Sequence, residues 1–434
     1  MAEAVILDRE KAFSSAYQWY ALGVLFLVYV FNFIDRSVLA LLAQSIKEDL
    51  QVSDTAIGLL GGLAFAVFYT ALGVPIARLA DKGNRRNILV VCLSIWSSMT
   101  ALCGLAQSFT YLLLARIGVA IGEAGGSPPS HSMISDMFPQ HRRATALGIY
   151  ALGIPVGSMI GALAGGWIND AFNWRTAFVL VGLPGLLIAV LVRLTLREPP
   201  RGVSEPTRIA AGVTPPVADV FRLLWERRSF RWLSFSAGFQ ALVSYGAGAW
   251  IPSMFERTHG LSSTEIGTAL FWLGVPSVIG TFAGGWYADR MGRRDVRWYM
   301  WLPAWTTLTS VPFSAFCYLT NDPWLAFWVM IVPNMLGSYW LAPVFSLTQG
   351  LVGLRMRAVA ASIMLFVLNL IGMGLGPWSV GIVSDLLHAY TSLGGDSLRW
   401  SLVISQVFAF IAVYCCMRGA HTLKGDLARS QEPN

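Results

Sequence analysis

The feature that most constrains this chain is a succession of twelve apolar stretches, each long enough, at roughly 20 residues, to cross a hydrocarbon slab as a helix. They run near 19–44, 55–79, 88–107, 110–133, 145–168 and 174–196. After a break they resume near 231–253, 264–288, 297–319, 323–347, 357–384 and 398–418. Only 13% of the 434 residues are charged and 55% are hydrophobic, against about 25% and 45–50% in ordinary globular chains. A soluble reading is excluded on that balance. The 17 Trp and 42 Gly agree, because Trp gathers at the headgroup level and Gly is more frequent in transmembrane helices than in soluble ones. The fold class predicted is an all-α membrane protein. Cys92, Cys103, Cys317, Cys415 and Cys416 all fall inside apolar runs, where they act as small hydrophobes without metal or disulfide spacing.

The break between the two sets of six holds Pro199, Pro200, Pro206, Pro215 and Pro216 with several arginines. It reads as a water-exposed linker followed by a short amphipathic stretch. The layout predicted is an N-terminal segment 1–18, a six-helix half 19–196, a linker 197–229, a second six-helix half 230–418 and a tail 419–434. With a cytoplasmic N-terminus, only Lys47, Arg175, Arg257 and Arg399 of the 31 Lys and Arg fall on the outer side, and Arg36 and Arg116 fall within spans. The positive-inside rule then places both termini and the linker in the cytoplasm. This asymmetry accounts for the net charge of +7, so no nucleic-acid partner is needed. The first 18 residues are polar and mixed in charge, which does not suit a cleaved signal peptide. The sequence holds no Asn-x-Ser/Thr acceptor, which favours a bacterial inner membrane over a glycosylated surface.

A repeat links the halves. After the second span the chain reads Ala77-Arg78-Leu79-Ala80-Asp81-Lys82-Gly83-Asn84-Arg85-Arg86, and after the eighth Gly285-Trp286-Tyr287-Ala288-Asp289-Arg290-Met291-Gly292-Arg293-Arg294. Each copy puts an Asp at a cytoplasmic helix end, then a turn, then an arginine pair. The turn is expected to need a residue tolerant of left-handed backbone, Asn84 in one copy and Gly292 in the other. Asp81, Arg85, Arg86, Asp289, Arg290, Arg293 and Arg294 are the candidate cytoplasmic gate.

With these residues the chain resembles the major facilitator superfamily, whose signature Gly285 to Arg294 matches nearly in full, with substitutions in the other copy at Ala77, Lys82 and Asn84. The resemblance implies twelve helices in two six-helix halves, a central cavity and alternating access by rocking of one half against the other. It is most similar to the spinster lipid transporters, through Asn32-Phe33-Ile34-Asp35-Arg36, Asp81 to Arg86, and the run Leu114-Ala115-Arg116-Ile117-Gly118-Val119-Ala120-Ile121-Gly122-Glu123-Ala124. In the fifth span Gly148, Gly153, Pro155, Gly157 and Gly161 form a stretch where helices can approach closely.

An ionisable side chain at bilayer depth costs about 2.5–3.5 kcal/mol on insertion scales, so such groups face a bundle interior or an aqueous cavity. This chain has four, Asp35 and Arg36 in the first span and Arg116 and Glu123 in the fourth. Arg116 and Glu123 are seven residues apart, on one helical face and roughly 10 Å from each other. In one reading they only tie the two spans together, Asp35 with Arg116 and Glu123 with Arg36 or in another pairing. In the other, Asp35 or Glu123 changes protonation during the cycle while Arg36 and Arg116 respond or grip an anion. A buried ion pair is a poor way to gain cohesion alone, which favours the second.

Asn32, Tyr69, Tyr245 and Asn369 join Arg36 and Arg116 as candidates for the substrate or charge network, with Gln240, Ser244, Asn334, Tyr339 and Gln349 as further polar residues. His131, after Pro128 and Pro129, reads as a helix-end histidine. The expected function is proton-coupled secondary transport of a lysolipid-like or other amphiphilic anion, by a monomer in the lipid bilayer, with protons as coupling ion and neither cofactor nor metal. The alternatives are a proton-linked carrier of small organic anions or drugs, and, from another class, a passive pore or membrane receptor. An enzyme is not expected, since the chain shows no Walker loop, no metal-spaced His or Cys cluster and no nucleophile with a base.

Overall fold

The computed structural model describes residues 13–201, 216–353 and 356–431. Most of the N-terminal segment, and Pro206 and Pro215 of the linker, lie outside these. Every described element is helical, and each of the twelve apolar stretches coincides with one helix or with two helices joined by a short break. Nine of these helices are long and apolar enough to cross a membrane, among the described residues. The chain is an integral, multi-pass membrane protein.

By contact the chain divides into two units. One holds residues 1–45 and 67–212, the other 46–66 and 213–434. In the first, α1 (Ser15–Leu50) up to residue 45 and α2 (Asp54–Lys82) from residue 67 are followed by α3 (Arg85–Cys103), and α4 (Phe109–Glu123) gives way to α5 (Ser127–Met137) across a three-residue break. Then come α6 (Gln140–Ala151), α7 (Gly153–Ala171) and α8 (Trp174–Thr195). Helix α3 packs along both α4 and α8.

Small residues set how closely these helices approach. A Cβ on Gly157 would overlap the Val30 carbonyl oxygen, and one on Gly161 would lie 2.8 Å from that of Ile34. A Cβ on Gly153 would press on Tyr29. The glycine stripe of α7 therefore seats the α1 turns just before Asp35, whereas Gly148 faces open space. At the α4–α5 break, Gly122 sits against the Trp96 backbone and Gly125 against Cys92, so the chain can stop one helix at Glu123 and start another beside α3.

The second unit begins with a short α9 (Val217–Glu226), then α10 (Arg228–His259), α11 (Ser263–Gly292), α12 (Trp298–Leu319), α13 (Pro323–Gly350), α14 (Val359–Tyr390), α15 (Ser397–Ser405) and α16 (Val407–Gln431). Helix α10 packs on α16 and α14, and α12 on α16 and α13. Two π-helical stretches, Leu59–Leu63 in α2 and Leu368–Leu375 in α14, abut. Gly62 permits the contact, for a Cβ there would lie 2.8 Å from the Gly374 carbonyl oxygen. Wide turns of this kind cluster where helices carry function.

The repeated turns differ from the sequence expectation. Neither Asn84 nor Gly292 has left-handed backbone; among the described residues only Gln51, Gly260 and Gly394 do. Asn84 is extended (φ −82°, ψ 110°) and its side chain accepts from the Asn87 amide to cap α3, which satisfies one of the orphan donors at a helix start. Gly292 is required for a different reason. The Tyr299 ring lies where its Cβ would be.

Candidate functional site: a buried ring of charge in the first unit

The four bilayer-depth charges meet. Arg36 on α1 donates from Nε to Oε2 of Glu123 at 2.7 Å. Arg116 on α4 donates from Nη1 to Oδ2 of Asp35 at 3.0 Å, and the Thr100 hydroxyl of α3 donates to the other oxygen at 3.0 Å. These are the pairings Asp35 with Arg116 and Glu123 with Arg36. They arise because α4 carries Arg116 and Glu123 two turns apart on one face while α1 offers adjacent residues, and the α7 glycines hold α1 in place.

Asp35, Arg116 and Glu123 are almost completely buried, at 2%, 2% and 1% exposure. The Arg36 side chain, 18% exposed, is the member that opens toward solvent. Its guanidinium lies over the Phe33 ring at 5.1 Å and the Tyr69 ring at 4.9 Å, so cation–π attraction adds to the Glu123 bond in holding it. Oε1 of Glu123 is buried and accepts no hydrogen bond among the described residues. Asp35 and Glu123 are near enough for their charges to interact.

Asn32, one turn before Arg36 on α1, is buried, and Tyr69 is half-buried beneath Arg36. Tyr245 and Asn369 belong to the second unit, Tyr245 exposed on α10 and Asn369 half-buried in the α14 π-helical stretch. Gln240 does not line open space. It donates to Ser236 (3.1 Å) and accepts from Thr307 (3.0 Å), cross-bracing α10 and α12. Asn334 bonds its own helix at Met330, and Tyr339 is buried. His131 is exposed on α5 with its ring edge-on to Tyr150, which stacks on Tyr29 at 4.3 Å.

The repeated loops are used unequally. Arg85 is buried and fastens the start of α3 to Asp136 of α5, to Glu198 at 2.7 Å, to Ser132 and to the Pro199 carbonyl. The Arg86 amide donates to Glu198 and its side chain to the Leu196 carbonyl. These contacts all lie inside the first unit. In the second, the Tyr299 hydroxyl donates to Asp289 at 2.7 Å, which is what the Gly292 gap permits, and Arg290 lies over the Trp286 ring at 5.3 Å. Asp81, Asp289, Arg293 and Arg294 are exposed and, among the described residues, make no ion pair.

One charged cluster was not anticipated. Asp54, 2% exposed at the start of α2, accepts from Lys47 at 2.7 Å, from both Arg257 amino groups at 2.7 and 2.8 Å, and from Ser384 at 2.7 Å. Asp385 of α14 in turn caps that helix start, accepting from the Asp54 amide at 3.1 Å and from the Thr55 amide at 2.7 Å. Gly381 allows the approach, since its Cβ would overlap the Asp54 carbonyl oxygen. An Asp at a helix start reads from sequence as an ordinary N-terminal acid, and its partners on α10 and α14 are too distant along the chain to signal themselves.

Comparison with known proteins places this architecture. The Major Facilitator Superfamily profile matches residues 25–377. An "MFS-type efflux pump" of Mycolicibacterium smegmatis is 34% identical over 411 residues, 94% of each chain, and protein spinster homolog 3 of Danio rerio is 28% identical across 86% of this chain and 78% of its own. A crystal structure of a bacterial homologue of the human lysosomal transporter Spinster, inward-facing and unoccupied, superposes with a TM-score of 0.88 at 34% identity, over 95% of this chain and 99% of that one. The profile and these relatives, matched over most of their length, show the family: the chain belongs to the major facilitator superfamily and is spinster-like.

Proposed function

We propose that this protein is a proton-coupled secondary transporter working by alternating access in a bacterial inner membrane, with both termini cytoplasmic, and that it moves an amphiphilic anion of the lysolipid kind. The observation that carries the reading is the pairing of two almost completely buried carboxylates, Glu123 and Asp35, each with one arginine across α1 and α4, with a buried Glu123 oxygen that accepts no hydrogen bond among the described residues. A ring that served only cohesion would gain little from burying two ion pairs.

The steps follow from charge balance. With both carboxylates ionised, Arg36 and Arg116 are neutralised and an anion has no cation to bind. A proton taken up between Asp35 and Glu123 leaves the ring with one net positive charge. Arg36, the most exposed member, carries that charge toward solvent and is stacked by Tyr69 for planar recognition of a phosphate or carboxylate. Release of the anion restores the ion pair and expels the proton. Binding of proton and substrate are then linked in one free-energy cycle. Asp81, Asp289 and the paired arginines act in this account as the cytoplasmic gate, with Arg85 and Arg86 fixing the loop that presents Asp81.

Proteoliposome flux driven by an imposed pH gradient tests the reading. Lysophosphatidylglycerol should accumulate against its gradient in the wild type and only equilibrate in Asp35→Asn. Equal, pH-independent flux in both would instead support a passive pore. The relative described as an efflux pump supports a second substrate reading, a small organic anion or drug; competition by simple carboxylates at concentrations where lysolipids do nothing would favour it.

A further inference from the structure

The short helix α9, ahead of the second six helices, carries two apolar edges. Val220 and Leu224 are fully buried in the core beside Phe230, Leu233 and Leu351. Val217, Phe221 and Trp225, spaced four apart and so on one face, are 56%, 45% and 42% exposed. Phe221 stacks on Trp225 at 5.5 Å, and Trp225 meets Phe235 of α10 edge-on at 6.3 Å. Phe235 is itself 42% exposed, within the apolar stretch 231–253 of α10. The aromatic ribbon therefore runs from α9 onto the exposed side of α10. The polar side of α9 carries Asp219 and Glu226 away from the ribbon.

Cations border the same surface. Arg228 and Arg231 lie on the α10 face of Phe235, seven and four residues earlier, and Arg222 follows Phe221 on α9. Arg222 and Arg228 are exposed and Arg231 half-buried, and among the described residues none of the three side chains has an ion-pair or hydrogen-bond partner. Apolar aromatics beside uncompensated arginines at the end of a span fit the acyl–headgroup boundary.

We propose that α9 is an interfacial helix and that Arg222, Arg228 and Arg231 form a binding site for the phosphate of an anionic phospholipid, with Phe221, Trp225 and Phe235 seated among its acyl chains. The site lies outside the transport ring and fastens the linker to the leaflet. The helix docks one edge on protein and the other on lipid, so anionic lipid stabilises the start of the second unit.

The full-length protein in nanodiscs of phosphatidylcholine, with and without phosphatidylglycerol, supplies the test. Phosphatidylglycerol should raise the melting temperature of the wild type, and the triple variant R222Q/R228Q/R231Q should lose most of that rise while melting like the wild type in phosphatidylcholine alone. A nitroxide on Val217→Cys should be relaxed by lipid-dissolved oxygen more than by a water-soluble nickel chelate. A triple variant that keeps the full phosphatidylglycerol effect, inorganic phosphate that reproduces it, or a nitroxide at residue 217 reached mainly from water would each overturn the proposal.

Discussion

Arg36 and Glu123 approach to 2.7 Å across the interface of α1 and α4, and the guanidinium lies 4.9 Å from the centre of the Tyr69 ring. The pair is asymmetric. Glu123 is buried while Arg36 is the most open of the four charges. On the proposed function, an anion competes for the arginine from its exposed side without first burying its own charge.

The Asp35–Arg116 pair is the dry one, both members 2% exposed. Removing one partner leaves an uncompensated buried charge, at a cost of about 3–5 kcal/mol, whereas removing both can be nearly neutral. Asp35→Asn should therefore lower the melting temperature of the purified protein markedly, and the double variant D35N/R116Q should recover a large part of the loss. Additive losses in the cycle would contradict the pairing.

Gly157 marks the closest approach of α7 to α1. Gly157→Val should cost at least about 1–3 kcal/mol through overpacking, and by displacing Val30 it should weaken substrate binding as well. Gly148→Ala, at a position with nothing within 4 Å, should leave the melting temperature unchanged or raise it. The comparison is read from paired melts and binding titrations.

Asp54 holds the start of α2 through Lys47, Arg257 and Ser384. Its segment 46–66 groups with the second unit. Asp54→Asn should speed amide exchange in residues 54–63 by roughly tenfold, equivalent to about 1.4 kcal/mol of lost local stability, and should raise transport rate if release of the tie is slow. Unchanged protection would remove Asp54 from this role.

Asp295 between α11 and α12 accepts from Arg297 and Lys424. The Arg297 hydrogen bonds hold its carboxyl well below the usual carboxylate range. A folded-state value below the unfolded one means the contribution is complete at neutral pH and is lost as pH falls through and below about 4. Melting of the wild type should drop more steeply than that of Asp295→Asn over that acid window and not between pH 6 and 8. Its partners Arg297 and Lys424 are 34% and 58% exposed, so the difference should shrink in high salt.

The sequence made the spans and the central charges legible for one physical reason: hydrocarbon penalises every polar group, so those that remain stand out. Asp35, Arg36, Arg116 and Glu123 were visible on that ground, and the fold brings all four together. Where water or protein replaces lipid the signal fades. Asp54 at a helix start looked ordinary, although two of the three side chains it accepts from, Arg257 and Ser384, come from distant parts of the sequence. Gln240 looked like a lining residue and is a brace between α10 and α12, because composition does not say which face of a helix turns inward. The repeated turns were found by their residues but not by their conformation. Asn84 serves as a cap and Gly292 as room for Tyr299, two uses of small or polar residues that a left-handed turn would also have explained.

In the proposed cycle a proton moves on and off Glu123 and Asp35. The most direct measurement is the internal pH of pyranine-loaded proteoliposomes when lysophosphatidylglycerol is added outside, compared between the wild type and Glu123→Gln. The wild type should show a substrate-dependent pH change that is absent in the variant, although the variant still binds the lysolipid. A full pH change in Glu123→Gln, with transport intact, would contradict the account.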